Sequence, residues 1–393
     1  MTYDFDSLNN RRNTGSLKWN VPEDVLPMWV ADMDFKTAPA IRKAMDERIS
    51  QGIFGYSEPG DEWYQAYINF YRERHHCQLK KEWLVFSLGV VPTISSSVRK
   101  LTEVGDNVVV FPPVYNIFYN SIVNNGRVPL EVPLIFDGES YYLDFEGIEK
   151  AFSEKKTSLC IFCSPHNPVG RIWSKEELAQ LGKIAKKYNV VILSDEIHCE
   201  LTAPGRSYIP FIEADPDNKD IAVTCIAPTK SFNLAGIQTS AIVIPNPDLR
   251  KKVVRQINTD EVAEPNILSC PCAIAALNDS RQWLDELRTY IFGNRKFVGD
   301  YISKNIPQIK LISGQATYLL WIDVSRIAKN SKELTDFLLS EAKLLVSTGS
   351  SYGKTGDGFI RMNVACPRAT VEEGMNRLKN GIEKFIHIKN ISK

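Results

Sequence analysis

Apolar strand-like runs and amphipathic helix-like stretches take turns through the middle of this chain. That alternation constrains its fold more than any other feature. Trp83 to Ser87, Asn107 to Phe111, Ser158 to Cys163, Val190 to Ser194, Ile221 to Ala227 and Gln238 to Ile244 read as strands bounded by turn residues. Between them fall helical stretches, Pro92 to Val104 and one opened by the capping box Ser174-Lys-Glu-Glu177 and running to about Tyr188. Pro39 to Gln51 reads as a further helix, with proline near its start and Gly52 just past its end. The pattern predicts an α/β fold with a largely parallel sheet.

After about residue 280 the character shifts. A long helical stretch, Arg281 to Lys304, leads into strands near Ala316 to Ile322 and Gly358 to Asn363. Helices are predicted near Lys332 to Ala342 and Ala369 to Lys384, which makes a smaller α+β lobe. At 393 residues the chain exceeds one ordinary core, so two domains are expected. The expected division is a large domain of 41–280 and a small one of 281–393 joined by 1–40, although the pattern itself does not place those first forty residues.

Charge excludes some functions. Forty-seven basic residues balance 47 acidic ones, so no net field draws nucleic acid or an anionic membrane. The first twenty residues carry Asp4, Asp6, Arg11, Arg12 and Lys18 without an apolar core, unlike a signal peptide. No apolar run approaches the roughly 20 residues that span a bilayer. Eight scattered cysteines in apolar surroundings read as reduced, and a cytoplasmic location is expected. Cys160-Ile-Phe-Cys163 has the spacing of a metal or redox half-site, yet it lies in a core-strand run, so no metal is expected.

Chemistry gathers at the strand ends. Lys230 follows the apolar run Ile221 to Ala227, where lost hydration favours a neutral, nucleophilic amine suited to forming a Schiff base with a carbonyl. A solvated surface lysine is the plain alternative. Asp195 follows the run Val190 to Ser194, at the C-terminal end of a strand, where α/β sheets bind ligands. It reads either as a partner for a protonated heterocyclic nitrogen or as a cap or buried ion pair. Ser164-Pro-His-Asn-Pro-Val-Gly170 is a tight loop after another strand, and Asn167 could donate its amide to a phenolic oxygen or simply make a turn. Ser87-Leu-Gly-Val-Val-Pro92 joins a strand to a helix, so the N–H groups of Val90 and Val91 after Gly89 could hold a phosphate. There is no G-x-x-x-x-G-K-[ST] or G-x-G-x-x-G, so nucleoside triphosphates and dinucleotides are not indicated.

Taken in order, these motifs resemble the fold-type I pyridoxal phosphate enzymes, the aspartate aminotransferase superfamily, along nearly the whole chain. Met28-Trp-Val-Ala-Asp-Met-Asp34, Phe54-Gly-Tyr-Ser57, Pro165-His-Asn-Pro-Val-Gly170, Ser194-Asp-Glu-Ile-His198 and Arg361-Met-Asn-Val-Ala-Cys-Pro-Arg368 look like its MalY/PatB branch of cystathionine β-lyases and cysteine-S-conjugate lyases. The resemblance implies a seven-stranded, mostly parallel sheet between helices, pyridoxal 5′-phosphate as cofactor and a homodimer with shared sites. It also implies roles. Lys230 carries the imine link, Asp195 pairs with the pyridine nitrogen, and Asn167 with His198 serves the ring hydroxyl. Tyr115 stacks on the ring, while Gly89, Val90, Val91 and Thr229 hold the phosphate. Tyr56 reaches the neighbouring subunit's phosphate. Arg361 clamps the substrate carboxylate, beside Ala31 and Asn167. Tyr115, His198 and Arg361 could equally be core or ion-pair residues. Many aminotransferases place a hydroxyl three residues before the lysine and an arginine eight after it; here Ala227 and Gln238 stand there.

The branch implies α,β-elimination from L-cystathionine and related cysteine S-conjugates to pyruvate, ammonia and a thiol such as homocysteine. The alternative is a class I/II aminotransferase, which shares removal of the α-proton. A third reading, a non-catalytic cofactor-binding regulator, calls for an N-terminal helix-turn-helix, and the chain is expected to open directly into the enzyme-like region.

Overall fold

The computed structural model describes residues 1–391. Seven strands form the central sheet: β1 (Leu84–Ser87), β2 (Asn107–Val110), β3 (Val128–Glu131), β4 (Thr157–Cys163), β5 (Val191–Asp195), β6 (Ala222–Ile226) and β7 (Ser240–Val243). Their order is β1-β7-β6-β5-β4-β2-β3, and β7 alone runs antiparallel to both of its neighbours. The sheet is therefore mixed but mostly parallel, as expected.

Side-chain alternation explains the continuous apolar runs. On β4, Cys160 and Phe162 face one core, while Leu159, Ile161 and Cys163 face another. Val109 and Val108 on β2, and Ile192 and Leu193 on β5, divide in the same way. With both faces covered, no strand position needs to be polar. The helices Val90–Leu101 and Pro247–Thr259 pack together on one side, and Pro39–Ser50, Asp61–His75 and Ser269–Asp279 on the other.

A second, antiparallel sheet joins Lys310–Leu311, Leu319–Asp323, Phe359–Asn363 and Ser347–Thr348 in that order. The helices Arg281–Asn305, Ser331–Ala342 and Arg368–Ile391 supply its apolar cover. Leu26 and Met28 pack into this core, whereas Phe5, Met33 and Phe35 pack into the large one. The first forty residues thus stitch the two cores together. No described helix is long and apolar enough to cross a membrane.

One boundary differs from expectation for a physical reason. The helix expected to start at Pro92 begins at Val90, two residues earlier. Proline is tolerated there because first-turn N–H groups lack intrahelical partners anyway. Just before it stands Gly89, whose φ of 176° is ordinary extended backbone. A Cβ on it would lie 3.3 Å from the Pro92 ring, so space and not a forbidden dihedral favours glycine.

Candidate active site

Strands β4, β5 and β6 end side by side, and their C-terminal ends open into one cavity of about 290 Å³. Its lining includes Ala31, Gly89, Val90, Val91, Tyr115, Asn167, Asp195, His198, Thr229 and Lys230. Residues predicted from motifs scattered across two hundred positions therefore meet in one place. Arg361 joins them through Asn167: its Nη1 donates to Asn167 Oδ1 at 3.1 Å. Tyr56 does not join. It is fully exposed in the segment 51–60, away from this chain's own cavity.

Each key side chain owes its position to a local feature. Lys230 sits four residues past the end of β6, in a loop of small turns closed by Phe232 N–H to Pro228 O and Leu234 N–H to Thr229 O. Its Nζ donates to Ala31 O at 2.7 Å. Burial lowers the Lys230 pKa, aided by the nearby Arg361 charge and opposed by Asp32 and Asp195. A buried amine held below its usual basicity is the form a nucleophile or base needs.

Asp195 ends β5 and is 4% exposed. Its carboxylate accepts a hydrogen bond from the Ile197 N–H, at 3.1 Å. Burial pushes its carboxyl up to about 6, against the pull of that N–H and of Lys230. Among the described residues no cation forms an ion pair with it. His198, also buried, has an unpartnered Nδ1, and burial with the Lys230 and Arg361 charges drives it down to about 3. It is therefore a neutral imidazole at physiological pH.

Asn167 is held by the loop after β4. Its N–H points to Cys163 Sγ, and Gly170 closes the loop onto His166 O at 2.7 Å. Gly170 has φ +71°, and a Cβ would fall 2.8 Å from Ala316 O, so only glycine lets the loop pack there. Because Asn167 Oδ1 accepts from Arg361, its amide nitrogen is left as the donor facing the cavity.

Arg361 lies centrally in the small sheet, paired between Trp321 and Ser347. Its guanidinium stacks over Tyr352 at 4.9 Å, Nη2 donates to Trp29 O at 2.9 Å, and Nε has no partner among the described residues. The fork keeps spare N–H groups for a carboxylate. Tyr115 is packed edge-on against Phe118, and burial with the Asp195 charge pushes its hydroxyl up to about 12.

Several contributors were not foreseen. Tyr318 donates its hydroxyl to Ala31 O at 3.0 Å, the carbonyl that Lys230 also uses. Leu88, Ile197, Ala235 and Gln238 line the cavity as well. Gln238, marked in the sequence by its place eight past the lysine, has φ +56°. The Cys160 and Cys163 thiols are buried in β4; all eight cysteines are free and buried.

The sequence matches the family described as aminotransferase class I and II over residues 23–378. Cystathionine beta-lyase PatB of Bacillus subtilis is 39% identical over 381 residues, covering 95% of this chain and 98% of that protein. Cystalysin from Treponema denticola, whose crystal structure contains a pyridoxal 5′-phosphate cofactor, is 33% identical with a TM-score of 0.95, over 98% of this chain and 100% of its own. A pyridoxal phosphate-bound C-S lyase from Staphylococcus hominis is 33% identical with a TM-score of 0.91, over 97% and 99%.

Proposed function

Because this chain belongs to the aminotransferase class I and II family, we propose that it is a pyridoxal 5′-phosphate-dependent carbon–sulfur β-lyase. Its substrates are L-cystathionine and related cysteine S-conjugates. One observation carries the reading: a single cavity holds a buried amine, Lys230, and a buried carboxylate, Asp195, that forms no ion pair with a cation among the described residues. A cationic ring nitrogen between them would relieve the cost of that carboxylate. The unpartnered His198 Nδ1, the free Asn167 amide and the first-turn N–H groups of Val90 and Val91 suit a ring hydroxyl and a phosphate. Thr229 adds a hydroxyl and Tyr115 a ring to stack on the pyridine.

Pyridoxal phosphate, when bound, supplies an electron sink for negative charge at the substrate Cα. This chain's residues do the rest. Arg361 grips the α-carboxylate, with Ala31 and Asn167 beside it, which fixes the Cα–H bond relative to Lys230. Asp195 keeps a proton on the pyridine nitrogen. The Lys230 amine takes the Cα proton as general base, and the Cβ–S bond breaks with the electron pair leaving on the thiolate. The remaining enamine hydrolyses to pyruvate and ammonia.

Within the same reading two copies share their sites, Tyr56 of each reaching the phosphate of the other; its full exposure supports a role outside its own subunit. The chain divides into a 41–280 cofactor domain and a small domain of 1–40 with 281–393, and works in the cytoplasm. The test is pyruvate release from L-cystathionine by purified, cofactor-loaded protein without added keto acid. Sustained pyruvate with free homocysteine is expected. Amino transfer that requires a keto acid, without pyruvate, would assign an aminotransferase instead.

A further inference from the structure

The segment from Trp29 to Phe35 is neither helix nor strand, yet side chains hold its backbone closely. Trp29 O accepts from Arg361, and Val30 O and Asp32 O both accept from Asn363 Nδ2 at 2.6 Å. Ala31 O accepts from Lys230 and Tyr318. Met33 O accepts from Arg11 and from Asn233, which also takes the Met33 N–H and donates to Phe35 O. Asn233 belongs to the Lys230 loop, so that loop and this strap fix each other.

Behind the strap lies a charge cluster that the proposed chemistry does not use. Arg11 reaches Asp32 at 2.7 Å and Asp34 at 2.8 Å. Lys18, only 1% exposed, reaches Asp34 at 2.7 Å and stands 3.8 Å from Asp32. Trp19 Nε1 donates to Asp34 at 2.8 Å. A surface cluster of this kind would fix little, but burial of Lys18 and Asp34 makes any escape from the pairing expensive.

We propose that Arg11, Lys18, Asp32 and Asp34 form a latch that positions the Lys230 amine through the Ala31 carbonyl. Resting on the lyase reading, the argument is geometric. Whenever Lys230 is not bonded to cofactor, its amine donates one N–H to Ala31 O, which fixes its direction and leaves the lone pair to take the Cα proton. The ammonium so formed then makes a charge-assisted hydrogen bond to the same oxygen. The four charged residues touch neither cofactor nor substrate; they are positioning residues, acting through a backbone carbonyl.

The test uses Lys18→Met and Asp34→Asn in the full chain, with Lys18→Arg as the conservative rescue. Three quantities are read: amide hydrogen exchange of residues 29–35 before cofactor is added, kcat per cofactor-loaded site, and the isotope effect with Cα-deuterated L-cystathionine. Faster exchange is expected in Lys18→Met and Asp34→Asn, with kcat down by about tenfold to a hundredfold and KM within about twofold. The isotope effect should rise, because proton removal becomes the slow step, and Lys18→Arg should restore all three. Faster exchange with unchanged kcat and isotope effect would overturn the proposal, since a structural latch alone predicts that. Unchanged exchange would overturn it too. Should both variants fail to fold, Tyr318→Phe keeps the cluster intact and removes the second donor on Ala31 O; its isotope effect should rise, and a wild-type value overturns the proposal. If the wild type transfers amino groups and releases no pyruvate, the same isotope effect is read on that reaction, so the lyase reading falls while the latch is still judged.

Discussion

Asp195 and Glu200 sit on one short stretch of chain, equally buried, and the protein treats them in opposite ways. Glu200 is enclosed by partners: Arg74 Nε donates at 2.9 Å, and His75 Nε2 bonds its other oxygen. Burial works against its ionisation, yet His75 and Arg74 outweigh that and bring its carboxyl down to about 2. Asp195 has one backbone N–H, and burial wins, raising it to about 6. A buried carboxylate with its partners present is architecture; one left short of them marks where a ligand completes the pairing. Cys199 also lies near His75 and Glu200, within 4.8 Å, but the Arg74 charge already occupies the role a cation would play there.

The largest effect expected on the ligand side is at Lys230. Lys230→Ala should lower pyruvate formation by at least about a thousandfold while the chain remains folded, because the general base is lost. Circular dichroism and thermal unfolding next to the pyruvate assay check it. Retained turnover would separate the cavity from the chemistry.

On the architectural side, Arg74→Ala strips the buried Glu200 of its half-buried arginine partner and should cost about 3–5 kcal/mol in stability. Denaturant unfolding measures that, with kcat per folded molecule unchanged. The pH sign follows from the depressed pKa. Glu200 contributes stability that is complete above its unfolded value of about 4.3 and is lost as pH falls toward 2. Arg74→Ala should flatten that acid limb.

Asp195 should show the reverse sign. Its folded pKa is raised, so stability present below about pH 4 is lost as pH climbs through about 6. In cofactor-free protein, Asp195→Asn should therefore gain roughly 2–3 kcal/mol at neutral pH. The same variant should bind pyridoxal phosphate more weakly. A destabilised Asp195→Asn apoprotein would show that the carboxylate is satisfied already, and the contrast with Glu200 would fail.

Much of this architecture was legible because the sheet is buried on both faces, which makes each central strand an unbroken apolar run. Strand β3 was not read from the pattern. It is an edge strand with Pro129 inside it and half-exposed side chains, so neither alternation nor an apolar run marks it. The helix Ser269–Asp279 also escaped, being apolar nearly all round with Pro271 in its first turn, which erases the helical period. In the site, Asn167, Asp195 and Lys230 were legible because each lies at or just past a strand end. The Trp29 and Ala31 carbonyls were not, since a backbone acceptor has no residue type to read. Tyr318 and Tyr352 matter through contacts across distant segments, which spacing along the chain cannot reveal.

The smallest expected effect sharpens the contrast at the cavity wall. Tyr115 lies beside Asp195, packed edge-on against Phe118, with a hydroxyl that burial keeps neutral to about pH 12. If its ring stacks on the pyridine, Tyr115→Phe should leave cofactor affinity nearly unchanged, because the stacking face survives. Tyr115→Leu loses that face and should cost about 0.5–1.5 kcal/mol, a roughly two- to tenfold weaker dissociation constant by fluorescence titration. Equal losses in both variants would point to the hydroxyl instead, and so to a polar partner that Asp195 or the cofactor supplies.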